Sequence, residues 1–166
     1  MIMPKTRLAL VGAGVIGKRH LKAIGEVGEA ELVAISDTNT EAESLARDNK
    51  VPFFSSTEEM LSAQRPDGVL VCTPTEAHLE SVLSALKSKA HVLVEKPITA
   101  SMEEAELIIR SSQECAREVL VGHHRRYYGM IQKVRELIRG GGLGQLIGVS
   151  GLWAVRKADS YYEPDW

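Results

Sequence analysis

The sequence predicts an α/β protein built on a doubly wound parallel sheet, and three observations carry that expectation. Short aliphatic runs recur at Leu8–Val11, Glu31–Ser36, Gly68–Cys72, His91–Val94 and Val119–Val121. Amphipathic segments of helical period separate them, and apolar strands joined by helices are buried on both faces of a parallel sheet. Three segments carry a Ser or Thr with a Glu three residues on, at Thr40/Glu43, Ser56/Glu59 and Ser101/Glu104. In such a box each side chain satisfies a backbone N–H at a helix start.

In chain order, Leu8–Val11 is the first strand and the helix after it carries His20 on the same face as Leu21 and Ile24. His20 reads as a packing histidine with one hydrogen bond rather than a catalyst. Glu31–Ser36 is the next run and Asp37 closes it. The strand ending at Cys72 leads into Thr73-Pro74; Thr75 is placed to cap the following helix, with His78 in its first turn. His91–Val94 stops at Glu95-Lys96-Pro97. After Gly122 the rhythm changes: Tyr127, Met130, Ile131, Val134, Leu137 and Ile138 share one face of a helix that Gly140 to Gly142 end. Leu146–Val155 then alternates as a strand, and eleven residues remain after it. It reads as the first strand of a truncated second domain, giving residues 1–122 as one domain and 123–166 as a connecting helix and the start of another.

Composition narrows the partners. With 166 residues, 44% of them hydrophobic, there is material for one ordinary core. Twenty basic residues against 22 acidic ones give a net charge of −2, which exerts no long-range pull on nucleic acid or anionic membranes. Cys72 and Cys115, in a strand and a helix, lack the spacing of a metal or redox pair and read as reduced thiols. Lys5 and Arg7 before an apolar run imitate a secretory signal, but the run holds two glycines and no cleavage site before Lys18. No window approaches the ~20 apolar residues of a membrane span. A cytoplasmic protein without a metal is expected.

The chemistry begins at Gly12-Ala13-Gly14-Val15-Ile16-Gly17, a G-x-G-x-x-G between strand and helix. Gly12 permits a tight turn, Gly14 clears a side chain where a pyrophosphate would approach the backbone, and Gly17 lets the helix lie close. The helix N-terminus offers unpaired N–H groups and a positive dipole end. Asp37, twenty residues after Gly17, is placed to bind adenosine ribose hydroxyls. Together they predict dinucleotide binding. A methyltransferase also uses a glycine loop and an acid after the second strand, but shows a different glycine pattern and gives no reason for Glu95-Lys96-Pro97. Lys96 itself has three readings: a solvated lysine, a cation holding Glu95, or a proton donor and acceptor beside a redox cofactor.

GAGVIG with His20 beyond it, CTPTEAH, VEKPI and GHHRRYY resemble the N-terminal half of the Gfo/Idh/MocA oxidoreductases, from about Arg7 to Trp166. The resemblance implies a Rossmann domain followed by a mainly antiparallel substrate and oligomerisation domain, on a chain about twice as long. It implies hydride transfer between NAD or NADP and a carbinol carbon of a sugar, sugar derivative or cyclitol. By motif, Gly12 to Gly17 would hold the pyrophosphate and Asp37 the adenosine ribose. Cys72, Thr73, Pro74 and His78 would line the nicotinamide half, with Glu95 and Lys96 at the nicotinamide ribose and substrate hydroxyl. Arg125, beside Arg126, would shape the pocket, Lys96 would be the catalytic residue, and the Lys96–Pro97 peptide would be cis. Where the family often has Asn, this chain has Thr75, which offers no side-chain amide. The resemblance implies a further Asp and His in the second domain, before which this sequence is expected to stop; no histidine follows His124.

Two function classes follow: an NAD(P)-dependent oxidoreductase represented by its cofactor-binding part, and a dinucleotide-binding sensor or regulatory protein without turnover. Lys96 favours the first. Asp37, with no arginine among Thr38 to Thr40, favours NAD over NADP. A homo-oligomer through the second domain is expected of the whole protein. The 166-residue chain alone is expected to bind NAD with negligible turnover and to self-associate along the Leu146–Val155 strand.

Overall fold

Every pairing in the sheet is parallel. The structure, a computed structural model, describes residues 4–159, and the described chain divides into two compact units at Gly122/His123. The first unit runs β1 (Thr6–Val11), α1 (Val15–Glu26), β2 (Ala30–Ser36), α2 (Glu43–Asp48), β3 (Phe53–Phe54), α3 (Thr57–Gln64), β4 (Gly68–Val71), α4 (His78–Lys87), β5 (His91–Val94), α5 (Met102–Cys115) and β6 (Val119–Val121). The strand order is β3-β2-β1-β4-β5-β6. The chain therefore steps outward from β1 in one direction and then, from β4, in the other. Ligands of such sheets bind at that reversal, beyond the carboxyl ends of the strands.

The doubly wound expectation is met, and the burial pattern explains it. Successive strand residues point to opposite faces. Ala9, Val11, Val69, Val71, Val92 and Val94 pack under α3, α4 and α5 through Met60, Leu61, Val82, Leu86 and Ile108. Leu10, Ile35 and Leu70 pack under α1 and α2 through Leu21, Ile24 and Ala46. Leu10 and Ile35 have no exposed surface, and each such side chain contributes about 1.5–3 kcal/mol. β3, only two residues long, leaves no run to read in the sequence.

Register decides where the site can lie. Ser36, Val11, Val71, Val94 and Val121 form one row across β2, β1, β4, β5 and β6. The ladder continues one step, with Gly12 N–H donating to Ser36 O, Cys72 N–H to Val11 O, Glu95 N–H to Val71 O and Gly122 N–H to Val94 O. Asp37, Gly12, Cys72, Glu95 and Gly122 are thus the rim of the sheet. The rim residues named from sequence motifs were far apart in the chain and are adjacent here.

Two capping expectations hold: Ser56 Oγ accepts from Glu59 N–H and Ser101 Oγ from Glu104 N–H. Two do not. Asn39, one residue earlier than Thr40, takes the Glu41 N–H, so Thr40 is left inside the first turn. Thr75 opens a 3-10 turn whose cap position is Pro74, with no side-chain cap bond.

In the second unit α6 (Gly129–Arg139) ends with Gly141 N–H on Ile138 O and Gly142 N–H on Leu137 O, two bonds that satisfy the helix's last carbonyls. Tyr127, expected on this helix, ends the 3-10 turn His124–Tyr127 before it. Met130, Ile131, Val134, Leu137 and Ile138 are exposed. The expected Leu146–Val155 strand is absent, since none of these residues is in a strand. A strand exists through its ladder, and among the described residues nothing pairs with this segment. Residues 160–166 of the expected second domain lie outside the described residues. Among those described, no helix is long and apolar enough to cross a membrane.

Candidate functional site

The turn from β1 into α1 is shaped by what surrounds its three glycines. Gly12 has φ +90°, and a Cβ there would lie 2.6 Å from the Cys72 carbonyl carbon, so the turn is pressed against the end of β4. At Gly17 a Cβ would run into the Gly12 carbonyl oxygen. At Gly14 a Cβ would meet nothing within 4 Å. The loop is closed behind its first and third glycines and open in front of the second. No side chain caps α1, so its first backbone N–H groups remain for another acceptor.

Asp37 holds this loop. Its Oδ2 accepts from Ala13 N–H at 2.6 Å and its Oδ1 from Asn39 N–H at 2.8 Å. Ala13, one of the residues expected to bind the cofactor, has therefore spent its amide on Asp37. Thr73, on the neighbouring rim loop, carries a buried Oγ1 with no hydrogen-bond partner among the described residues. A buried hydroxyl without a partner costs about 1–3 kcal/mol, and a ligand hydroxyl or amide would relieve it. Pro74 beside it is exposed.

His78 lies on the inner side of the rim. Its ring is 1% exposed, with Nδ1 at 2.9 Å from Pro97 O and Nε2 at 3.0 Å from Thr73 O. Both nitrogens are committed and the ring is buried. It ties the Thr73 loop to the Pro97 loop.

Glu95 is held from three sides. Its Oε1 lies 3.0 Å from His20 Nε2, its Oε2 accepts from Lys96 N–H at 3.2 Å, and a Cβ on Gly122 would lie 2.8 Å from Oε1. His20 makes the single bond expected of it, but the bond is to a site residue. Neither His20 nor Gly122 was legible as part of the site. Their partner is 75 residues away in one case, and only His20's place one turn beyond Gly17 hinted at it.

Lys96 is exposed, and the Lys96–Pro97 peptide is cis, as the resemblance implied. The reading of Lys96 as the cation that holds Glu95 is removed, because its backbone N–H and not its amine meets the carboxylate. Among the described residues none bonds or pairs with the amine.

Burial, reinforced by the Glu95 charge, pushes the Cys72 thiol up to about 12. It stays protonated at neutral pH and supplies no nucleophile. We expect iodoacetamide to leave Cys72 unmodified at pH 7.5 in the folded chain, checked by peptide mass mapping. Because the folded value lies above the unfolded one, stability is intact below about 9 and falls as pH rises towards 12. Cys72→Ala should flatten that part of the pH–melting curve.

Arg125 belongs to the second unit, where its guanidinium carbon lies 4.2 Å over the Trp153 ring, a cation–π geometry. Among the described residues no group of three His, Cys, Asp or Glu side chains could hold a metal ion.

Residues 6–123 match the Gfo/Idh/MocA family, described as an oxidoreductase family with an NAD-binding Rossmann fold. The chain belongs to this family. Among family relatives it is 33% identical over 139 residues to the 4-carboxy-2-hydroxymuconate-6-semialdehyde dehydrogenase of Sphingobium sp., covering 82% of this chain and 44% of that protein. It is 32% identical over 143 residues to the D-glucoside 3-dehydrogenase of Escherichia coli, covering 84% and 41%. The WlbA dehydrogenase of Bordetella pertussis, solved in complex with NADH and UDP-GlcNAcA, superposes with a TM-score of 0.81 at 32% identity, over 84% of this chain and 43% of that one. The chain thus spans under half the length of these oxidoreductases.

Proposed function

We propose that this chain is the cofactor-binding part of an NAD-dependent oxidoreductase that transfers hydride to or from a carbinol carbon of a sugar, sugar derivative or cyclitol. The observation that carries the proposal is the open space before Gly14, at the uncapped end of α1 and at the reversal of strand order. The unpartnered Thr73 Oγ1 adds a second fit to a ligand on the same rim. One relative named as a D-glucoside 3-dehydrogenase, another named as a semialdehyde dehydrogenase, and a structural neighbour in complex with NADH support the reaction class.

In this reading Gly12 to Gly17 cradle the pyrophosphate, Asp37 meets the adenosine ribose, Thr73 and Pro74 flank the nicotinamide half, and Glu95 and Lys96 face the nicotinamide ribose and the substrate. NAD supplies the hydride acceptor when bound. The Lys96 amine, exposed at the rim with no partner among the described residues, takes the proton that the substrate hydroxyl must lose. The protein acts in the cytoplasm, and the whole protein is a homo-oligomer.

The direct test is a fluorescence titration of the purified chain with NADH, and a calorimetric one with ADP, which carries the adenosine and pyrophosphate alone. Saturable binding of both is expected. A chain that binds neither would sink the proposal.

A further inference from the structure

Glu95 is the only rim carboxylate of the first unit, among those described, whose side chain is bonded by a residue of α1. That bond joins the helix behind the glycine loop to the residue preceding Lys96. The donor direction is fixed by chemistry: the carboxylate accepts, so Nε2 of His20 carries the hydrogen. A carboxylate has about four acceptor directions, and here His20 and Lys96 N–H use two, one on each oxygen. Gly122 closes a third side, since a Cβ there would lie 2.8 Å from Oε1 and 2.9 Å from the carboxyl carbon. The carboxylate is 15% exposed and His20 22%, so only a small part of Glu95 remains open to a ligand.

We infer that His20 is a positioning residue: through its Nε2–H it fixes the Glu95 carboxylate so that its open face meets the ribose on the nicotinamide side of a bound dinucleotide. This rests on the proposed cofactor site and adds to it a residue that touches neither cofactor nor substrate. Its consequence is selective. Adenosine and pyrophosphate sites lie on the loop and Asp37, which His20 does not hold, so losing the Nε2–H weakens binding of the nicotinamide half and leaves the other half alone.

The test uses four forms of the chain, each first shown to melt cooperatively: wild type, His20→Phe, His20→Gln and Gly122→Ala. His20→Phe removes the donor and keeps a ring. His20→Gln restores an N–H at similar reach. Gly122→Ala leaves His20 in place and displaces the carboxylate from its other side, which keeps the inference testable should the phenylalanine variant fail to fold. NADH and ADP affinities are measured for each. Loss of one hydrogen bond to a charged group corresponds to about tenfold or more in affinity. We expect about that loss for NADH with His20→Phe and Gly122→Ala, ADP affinity within about twofold of wild type, and substantial rescue of NADH by His20→Gln. Equal losses for NADH and ADP would make His20 merely structural and overturn the inference, as would unchanged NADH binding in both His20→Phe and Gly122→Ala. A wild-type chain that binds ADP but shows no NADH selectivity in any variant defeats the inference and spares the cofactor site, whereas a wild type that binds neither defeats both.

Discussion

Gly17→Ala is expected to lower the melting temperature of the chain by about 5–10 °C and to abolish dinucleotide binding, while Gly14→Ala leaves the melting temperature nearly unchanged and removes only the binding. The two substitutions add the same methyl group five Å or so of chain apart, roughly one residue spacing times the three that separate them along a helical path. Their environments differ. A Cβ on Gly17 runs into the Gly12 carbonyl oxygen and lies 3.3 Å from Leu10 Cδ2, a side chain with no exposed surface. Neither backbone nor buried core yields cheaply, and overpacking of this kind costs about 1–3 kcal/mol or more. At about 2–4 °C per kcal/mol for a chain of this size, the melting shift follows. Gly14 has φ −68°, which alanine adopts freely, and open space before it. Its methyl group disturbs nothing until a pyrophosphate has to approach the backbone. Thermal melts by circular dichroism, paired with NADH titration, separate the two outcomes. A Gly14→Ala chain that binds NADH as tightly as wild type would place the pyrophosphate elsewhere.

The same loop shows what kind of information the sequence holds. The glycine spacing predicts a tight turn, a phosphate approach and a close helix because each is a local demand on backbone geometry, and local demands are written in neighbouring residues. The strand runs are legible for a similar reason: burial on both faces leaves no room for polar alternation. Caps are less secure. Ser56 and Ser101 cap as their boxes predict, but Thr40 loses to Asn39 because two capable side chains compete for one helix start, and the sequence does not rank them.

The contacts that build the rim are of another kind. His20 and Glu95 lie 75 residues apart, and Asp37 and Ala13 24 apart; both depend on strand register, which sets which residues leave the sheet side by side. His78 is the instructive case. In sequence it stands beside a motif and looks exposed to the cofactor, yet burial and two carbonyl partners turn it inward. Motif membership marked it as relevant to the site without saying which side of the loop it serves.

NADP is expected to bind this chain about thirtyfold more weakly than NAD, and Asp37→Asn is expected to reduce that preference below about fivefold. The adenosine 2′-phosphate would stand near the Asp37 carboxylate. Two like charges at ~4 Å repel by up to about 4 kcal/mol at an effective dielectric of ~20, and partial exposure lowers this, so about half is the working figure. The residues that follow, Thr38, Asn39, Thr40 and Glu41, offer no cation to offset it. Rotation cannot relieve the repulsion easily, because each carboxylate oxygen is tied to a backbone N–H, of Ala13 on one side and Asn39 on the other. Asparagine removes the charge and keeps one acceptor of the same reach, so the loop stays anchored and NADP gains while NAD loses little. Asp37→Ala differs: it leaves the Ala13 N–H without its partner, loosens the glycine loop, and should weaken both cofactors together. Calorimetric titrations of the three forms with each cofactor decide the matter, and repeating them in added salt supplies an internal check. Screening at ~0.1 M acts over about 10 Å, so a preference that is electrostatic narrows with salt, and one set by shape does not. Wild-type binding of NADP as tight as NAD, or a ratio untouched by Asp37→Asn, would remove Asp37 from cofactor selection.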